Sequence, residues 1–226
     1  MHAQQVSILE DSKQYSSTAH WNHIYKSKAI NQLGWYENRP EQCLGLLSRC
    51  QLSPDDPVLD VGVGTSAFID CLIELGYKNI YALDISEEAL LGLKDRLGKD
   101  KASRVHWIVA DIVRPALLAK LTKIGLWHDR ALLHFLLSPE ERQIYLDTLK
   151  KVLRPNGYVI IAAFAIDGAK MCSGLNVRNY DEQVLASFLG DSFRMVDHYN
   201  YTYTQPSGGK RPYIYALFQR IEADFL

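Results

Sequence analysis

The chain carries no apolar run long enough to cross a bilayer, no excess of charge of either sign, no internal repeat and no cysteine spacing of the metal-binding kind. Its longest strongly apolar run, Tyr158 to Ile166, falls far short of the ~20 residues that a membrane-spanning helix needs. The first thirty residues lack the apolar core of a secretory signal, so a soluble, cytoplasmic protein is expected. With 25 basic and 26 acidic residues, the composition points to neither a nucleic acid nor an anionic membrane as partner. Cys43, Cys50, Cys71 and Cys172 form no Cys-x-x-Cys pair, and His20 and His23 find no third ligand nearby. No metal is therefore expected, and the cysteines read as free thiols of a reducing compartment. The 226 residues read as one domain, residues 41–226, preceded by an extension over 1–40; the oligomeric state is left open.

What is present centres on Val58 to Ala67, Val-Leu-Asp-Val-Gly-Val-Gly-Thr-Ser-Ala. A short run with β-branched residues meets a Gly62-x-Gly64 turn, and an apolar helical pattern follows from Thr65 to Leu75: a strand, a tight loop and a helix. Glycines at 62 and 64 admit positive φ and let the backbone approach a ligand with no Cβ in the way. Asp60 puts a carboxylate at the mouth of the loop, where it would repel a pyrophosphate and favour a cation or hydroxyl donors.

The rest of the chain alternates strand and helix. Strands are expected at Asn79 to Leu83, Arg104 to Ala110, Ile124 to Trp127 and Tyr158 to Phe164. Helices are expected from Glu41 to Leu52, Ser86 to Leu97, Pro115 to Leu121, Ser138 to Leu153 and Asp181 to Leu189, with Arg154 to Gly157 as a turn. The runs Phe193 to Thr204 and Pro212 to Arg220 flank Ser207-Gly208-Gly209 and read as an antiparallel hairpin. The predicted fold is α/β, a doubly wound, Rossmann-like sheet of seven strands, mostly parallel, closed by the C-terminal hairpin. Residues 1–17 read as polar and irregular; beyond them Trp21, Tyr25, Trp35 and Tyr36 either pin the extension to the core or form a lid over the ligand loop.

In such sheets ligands bind beyond the carboxyl ends of the strands, and Asp60, Asp84 and Asp111 all fall at strand ends. Asp84 comes 20 residues after Gly64, the distance at which an acid meets ribose hydroxyls, and a carboxylate accepts two such hydrogen bonds. Asp111 can accept from an exocyclic amine such as that of adenine, beside the Ile112 N–H. Asp84 or Asp111 taken alone is more often only the N-cap of the next helix, but three aspartates in register with a glycine loop outweigh that reading.

The segments Leu59-Asp60-Val61-Gly62-Val63-Gly64-Thr65, Ala82-Leu83-Asp84-Ile85-Ser86, Ala110-Asp111-Ile112 and Leu153 to Tyr158 together resemble the successive motifs of class I S-adenosylmethionine-dependent methyltransferases. The resemblance covers Val58 to Arg220. It implies that Gly62, Val63 and Gly64 line the methionine moiety, that Asp60 lies near its amino end, that Asp84, with Ile85 beside it, holds the ribose, and that Asp111 and Ile112 hold adenine. Trp21, Tyr25 and Trp35 would close over that cofactor. Val63 departs from the cysteine or small residue of many members.

The segment after the fourth strand, Trp127-His128-Asp129-Arg130 with His134 beyond, is not the Asp/Asn-Pro-Pro-Tyr of amino-group methylation of bases, and no Pro-Cys dipeptide supplies a cytosine nucleophile. It resembles the equivalent strand end of thiopurine and thiol S-methyltransferases, and more loosely that of lysine methyltransferases acting on elongation factors. His128, Asp129 or His134 would take the acceptor's proton, and Arg130 would pair with Asp129 or hold an anionic substrate. The expected function is methyl transfer from S-adenosyl-L-methionine to a small nucleophile, a thiol among the candidates. A protein-lysine methyltransferase is the alternative, and a non-catalytic nucleotide-binding module or an NAD-dependent oxidoreductase are readings of other classes.

Overall fold

A computed structural model describes residues 17–121 and 123–221. The order expected of residues 1–16 lies outside the described residues. Seven strands form one sheet in the order β3-β2-β1-β4-β5-β9-β8. They are β1 (Val58–Val61), β2 (Ile80–Asp84), β3 (Val105–Val109), β4 (Ile124–Arg130), β5 (Leu153–Phe164), β8 (Phe193–Thr204) and β9 (Lys210–Arg220). The first five run parallel, and β9 runs antiparallel to both β5 and β8, as expected of the hairpin. A small separate ribbon, β6 (Met171–Cys172) with β7 (Leu175–Asn176), rises after β5.

The sheet is covered on both faces because its central strands are apolar on both. On one side α2 (Glu41–Leu47), α3 (Phe68–Glu74) and α4 (Glu87–Ala102) pack through Leu46, Phe68, Leu72 and Leu93 onto Val58, Leu126, Ile160 and Tyr215. On the other, α5 (Pro139–Val152) and α6 (Glu182–Leu189) pack through Tyr145, Leu149 and Leu185 onto Leu59, Trp127, Val159 and Phe218. Helix α5 starts on a full capping box: Ser138 Oγ accepts from Glu141 N and the Glu141 carboxylate accepts from Ser138 N. Residues 17–27 form a helix, α1, that crosses the carboxyl end of the sheet. Ser86 Oγ donates to Asn22 Oδ1 at 2.7 Å and Lys26 pairs with Glu88 at 2.9 Å, anchoring α1 to the start of α4. Among the described residues no helix is long and apolar enough to cross a membrane.

Several boundaries differ from expectation. Strand β4 does not stop at Trp127 but runs to Arg130, because Asp129 and Arg130 pair with Ile161 and Ala162 of β5. Strand β5 begins at Leu153, which pairs with Ile124; the expected turn survives as a register shift, with Asn156 at φ +58°. Helix α3 starts at Phe68, since Thr65 to Ala67 complete the glycine loop, and Pro115–Lys120 is a 3-10 helix.

Candidate active site

The site is assembled where β1, β2 and β4 end. Gly62 and Gly64 have φ of +66° and +53°, the left-handed region that penalises any side chain. A Cβ on Gly62 would lie 2.6 Å from Leu132, and one on Gly64 would meet the Tyr25 hydroxyl, so both glycines also permit close approach. Asp84 ties the loop down: Gly64 N donates to its Oδ2 and Ser86 N to its Oδ1, each at 2.8 Å. Burial pushes the Asp84 pKa up to about 6, against the pull of those N–H donors. Asp111 caps its own turn, accepting from Val113 N at 3.0 Å, with Ile112 buried beside it.

Strand alternation divides the residues of β4 between the two faces of the sheet. His128 lies opposite Asp60 in the register, and its Nδ1 is 2.7 Å from Asp60 Oδ1. The two are only 1% and 2% exposed, and the imidazole stacks on Phe68 with ring centres 4.0 Å apart. Burial alone would depress the His128 pKa, but the Asp60 carboxylate more than reverses this and holds the imidazole protonated. Asp60 Oδ2 and His128 Nε2 have no hydrogen-bond partner among the described residues.

Asp129 points to the opposite face, which corrects the expected Asp129–Arg130 pair. Its carboxylate accepts from the Tyr145 hydroxyl at 2.7 Å and from Leu132 and Leu133 N, while Trp127 Nε1 donates to the same Tyr145 oxygen at 2.8 Å. Asp129 thus holds the turn after β4, where Ala131 sits at φ +72°, and is turned away from His128. Arg130 instead pairs with Glu37, Nε to Oε2 at 3.0 Å, and donates to Trp35 O at 3.2 Å. Its guanidinium lies 5.3 Å from the ring centres of both Tyr203 and Tyr213. His134 is fully buried between Phe135 and Phe164; burial first, then the field of Arg130, lowers its pKa to about 3, so it stays neutral.

The aromatics of the extension close over this floor. Trp21 packs edge-on against Trp35 and Phe135, Tyr25 packs against Trp35, and the Tyr25 hydroxyl reaches Gly64. The segment carrying Trp35 is strapped from the hairpin, where the Tyr203 hydroxyl donates to Tyr36 O and Gln205 Nε2 to Gly34 O at 3.0 Å. Below it lies a cleft of only about 40 Å³, lined by Trp35, Glu37, Asp60, Gly62, Val63, His128 and Arg130. Reading residue types in order missed Glu37, Phe68, Tyr145 and the Tyr203–Tyr213 cage. The alternate tyrosines of the last two strands were the one available signal for the cage.

A glycine loop at the end of β1, an acid at the end of β2 and a seven-stranded sheet with β9 antiparallel define a class I methyltransferase fold. Residues 58–157 match the family model described as a methyltransferase domain. It is similar to the eEF1A lysine and N-terminal methyltransferase of Bos taurus, 25% identical over 84% of this chain but 26% of that protein. It is also similar to the EEF1A lysine methyltransferase 2 of Danio rerio, 25% identical over 67% of this chain and 68% of that protein. The chain thus spans about a quarter of the first relative. Among solved structures, N-methyltransferase NodS from Bradyrhizobium japonicum in complex with S-adenosylhomocysteine shares the fold at a TM-score of 0.65. It is 17% identical, covering 90% of this chain and 100% of that one.

The residues present fit the methyl donor. The loop keeps two positions free of side chains, and the orphaned Asp60 Oδ2 offers an acceptor to a cationic group. Trp35, Gly62 and Val63 line the cleft of about 40 Å³ beside Asp60.

Proposed function

We propose that the protein transfers a methyl group from S-adenosylmethionine to a small nucleophile that reaches the site neutral or anionic, with thiols and heterocyclic nitrogens as the leading classes. The observation that carries this is the absence of a competent proton acceptor around Arg130. Among the described residues, Asp129 is consumed by Tyr145 and backbone N–H groups, Glu37 by Arg130, and His128 by Asp60, while the free Asp60 Oδ2 is taken by the cofactor's ammonium in this reading. His134 is too weakly basic to hold a proton near neutral pH. A lysine side chain arrives as an ammonium and must lose its proton before it can attack. A thiol can lose its proton to solvent and enter as the thiolate, which a buried guanidinium favours, and a heterocyclic nitrogen attacks through its free lone pair.

Bound in the cleft, S-adenosylmethionine supplies an electrophilic methyl on a sulfonium. Gly62, Val63 and Gly64 would line its methionine part, Asp60 would take the ammonium, Asp84 the ribose hydroxyls, and Asp111 with Ile112 the adenine. Trp21, Tyr25 and Trp35 exclude water when closed and so hold the acceptor in line, where alignment contributes most of the rate. Arg130, fixed by Glu37 and the tyrosines, orients the acceptor.

The curated relatives named as eEF1A methyltransferases favour a second reading, a protein acceptor. Labelled cofactor incubated with a desalted lysate plus its low-mass fraction separates the two. Label in small molecules supports the first reading; label confined to protein overturns it in favour of the second. With an active acceptor in hand, Arg130→Met combined with Glu37→Gln should raise the acceptor KM about tenfold while leaving S-adenosylhomocysteine affinity unchanged.

A further inference from the structure

On the face of the sheet opposite the cofactor loop's helices, a groove of about 420 Å³ opens between α5, the segment 177–180 and α6. Its wall includes Arg142, Arg178, Tyr180, Gln183, Ser187 and Phe188, and no carboxylate lines it. Its volume is that of a small-molecule site, ~300 to 1,000 Å³. Two guanidinium groups among its lining residues give it a positively charged side. Arg142 uses Nη1 on the carbonyls of Leu136 and Leu137, at 3.0 and 2.7 Å, and Arg178 lies 5.7 Å from the centre of the Tyr180 ring. Tyr180 is 1% exposed; burial pushes the pKa of its hydroxyl up to about 12, while the guanidinium groups of Arg178, which also reaches the hydroxyl, and Arg142 pull the other way. Val184 and Phe188 add an apolar side to the groove.

We infer that this groove is a second binding site, for a small anion carrying an apolar or aromatic body, held by Arg142 and Arg178 with Tyr180 donating a hydrogen bond. It goes beyond the methyl-transfer reading and does not depend on it. The site adjoins the turn that carries His134 and Phe135: Arg178 N donates to His134 O at 2.8 Å, and Arg142 holds the next two carbonyls but one. A ligand here would grip the acceptor side of the enzyme from behind.

The test uses phenyl phosphate as probe, with benzyl alcohol as its uncharged counterpart, in calorimetric titrations of the full chain. Phenyl phosphate should bind saturably with Kd below about 1 mM, and benzyl alcohol should not. Arg178→Ala should weaken binding about tenfold or more, and so should Ser187→Glu, which puts a repelling charge at an exposed position on α6. Far-UV circular dichroism and the thermal midpoint should be unchanged in both variants, reporting that each is folded. Absence of saturation in the wild type, equal affinity for the alcohol, or wild-type affinity in either variant would overturn the inference.

Discussion

The donor side of the site and the acceptor side are built on different principles. On the donor side, short-range chain geometry does the work: two glycines at positive φ, and an aspartate whose two oxygens each take a backbone N–H from its own loop or the neighbouring one. On the acceptor side almost every contact joins residues far apart in the chain, Arg130 to Glu37 and Trp35, Arg130 to Tyr203 and Tyr213, Trp21 to Phe135. A donor is common to a whole fold class and can be read by a local loop. An acceptor pocket requires several distant elements to converge, and each can change without disturbing the loop.

That contrast can be broken most forcefully at the one pair that spans both sides. His128→Leu leaves Asp60 buried and unpaired, and unfolding free energy should fall by about 3–5 kcal/mol in urea titrations, whereas Asp60→Asn with His128→Leu should recover much of it. Recovery failing would mean the pair is not a coupled unit. Next in size, Gly62→Val should abolish S-adenosylhomocysteine binding by calorimetry, a loss beyond about a hundredfold, since its side chain meets Leu132 and the backbone cannot keep φ +66°. Retained affinity there would remove the distinction between a loop-built donor site and the rest.

A smaller effect is expected at Tyr145→Phe, which strips Asp129 of a buried donor and should cost about 1–3 kcal/mol of stability with donor affinity intact. If donor affinity fell in parallel, the acceptor turn and the donor loop would be one cooperative element. The mildest test is pH. Asp84 and Asp129 both have folded pKa values pushed up to about 6, above those of the unfolded chain, so the folded state binds more protons between about pH 4 and 6. Their contribution therefore makes stability rise as pH falls through 6. Donor affinity should move the other way, dropping about tenfold between pH 7 and 5 as Asp84 becomes protonated and loses acceptor capacity. Titrations at both pH values, with Asp84→Asn as the pH-independent reference, check the sign.

Most of the architecture was legible beforehand because its signals are local. Alternation of apolar runs with capped helices announced the parallel sheet, the Ser138 box marked the start of α5, and the Gly-Gly turn announced the hairpin. Where boundaries were misplaced, pairing had overruled propensity: β4 reads as finished at Trp127, yet β5 draws it on to Arg130. Within the candidate site, the positive φ of Gly62 and Gly64 and the tie from Asp84 to the loop accord with their spacing. Asp129 and Arg130, neighbours in sequence, do not pair because they lie on opposite faces of the same strand.

By itself, the order of residues determined the sheet, the glycine loop and the three carboxylates at strand ends, since each depends on backbone preference and side-chain period over a few positions. Only the tertiary structure decided which charges meet. The closing of α1 over Gly64, the capture of Arg130 by Glu37 and two tyrosines, and the neutrality of His134 all follow from burial beside distant partners, where a low dielectric makes the identity of each neighbour decisive.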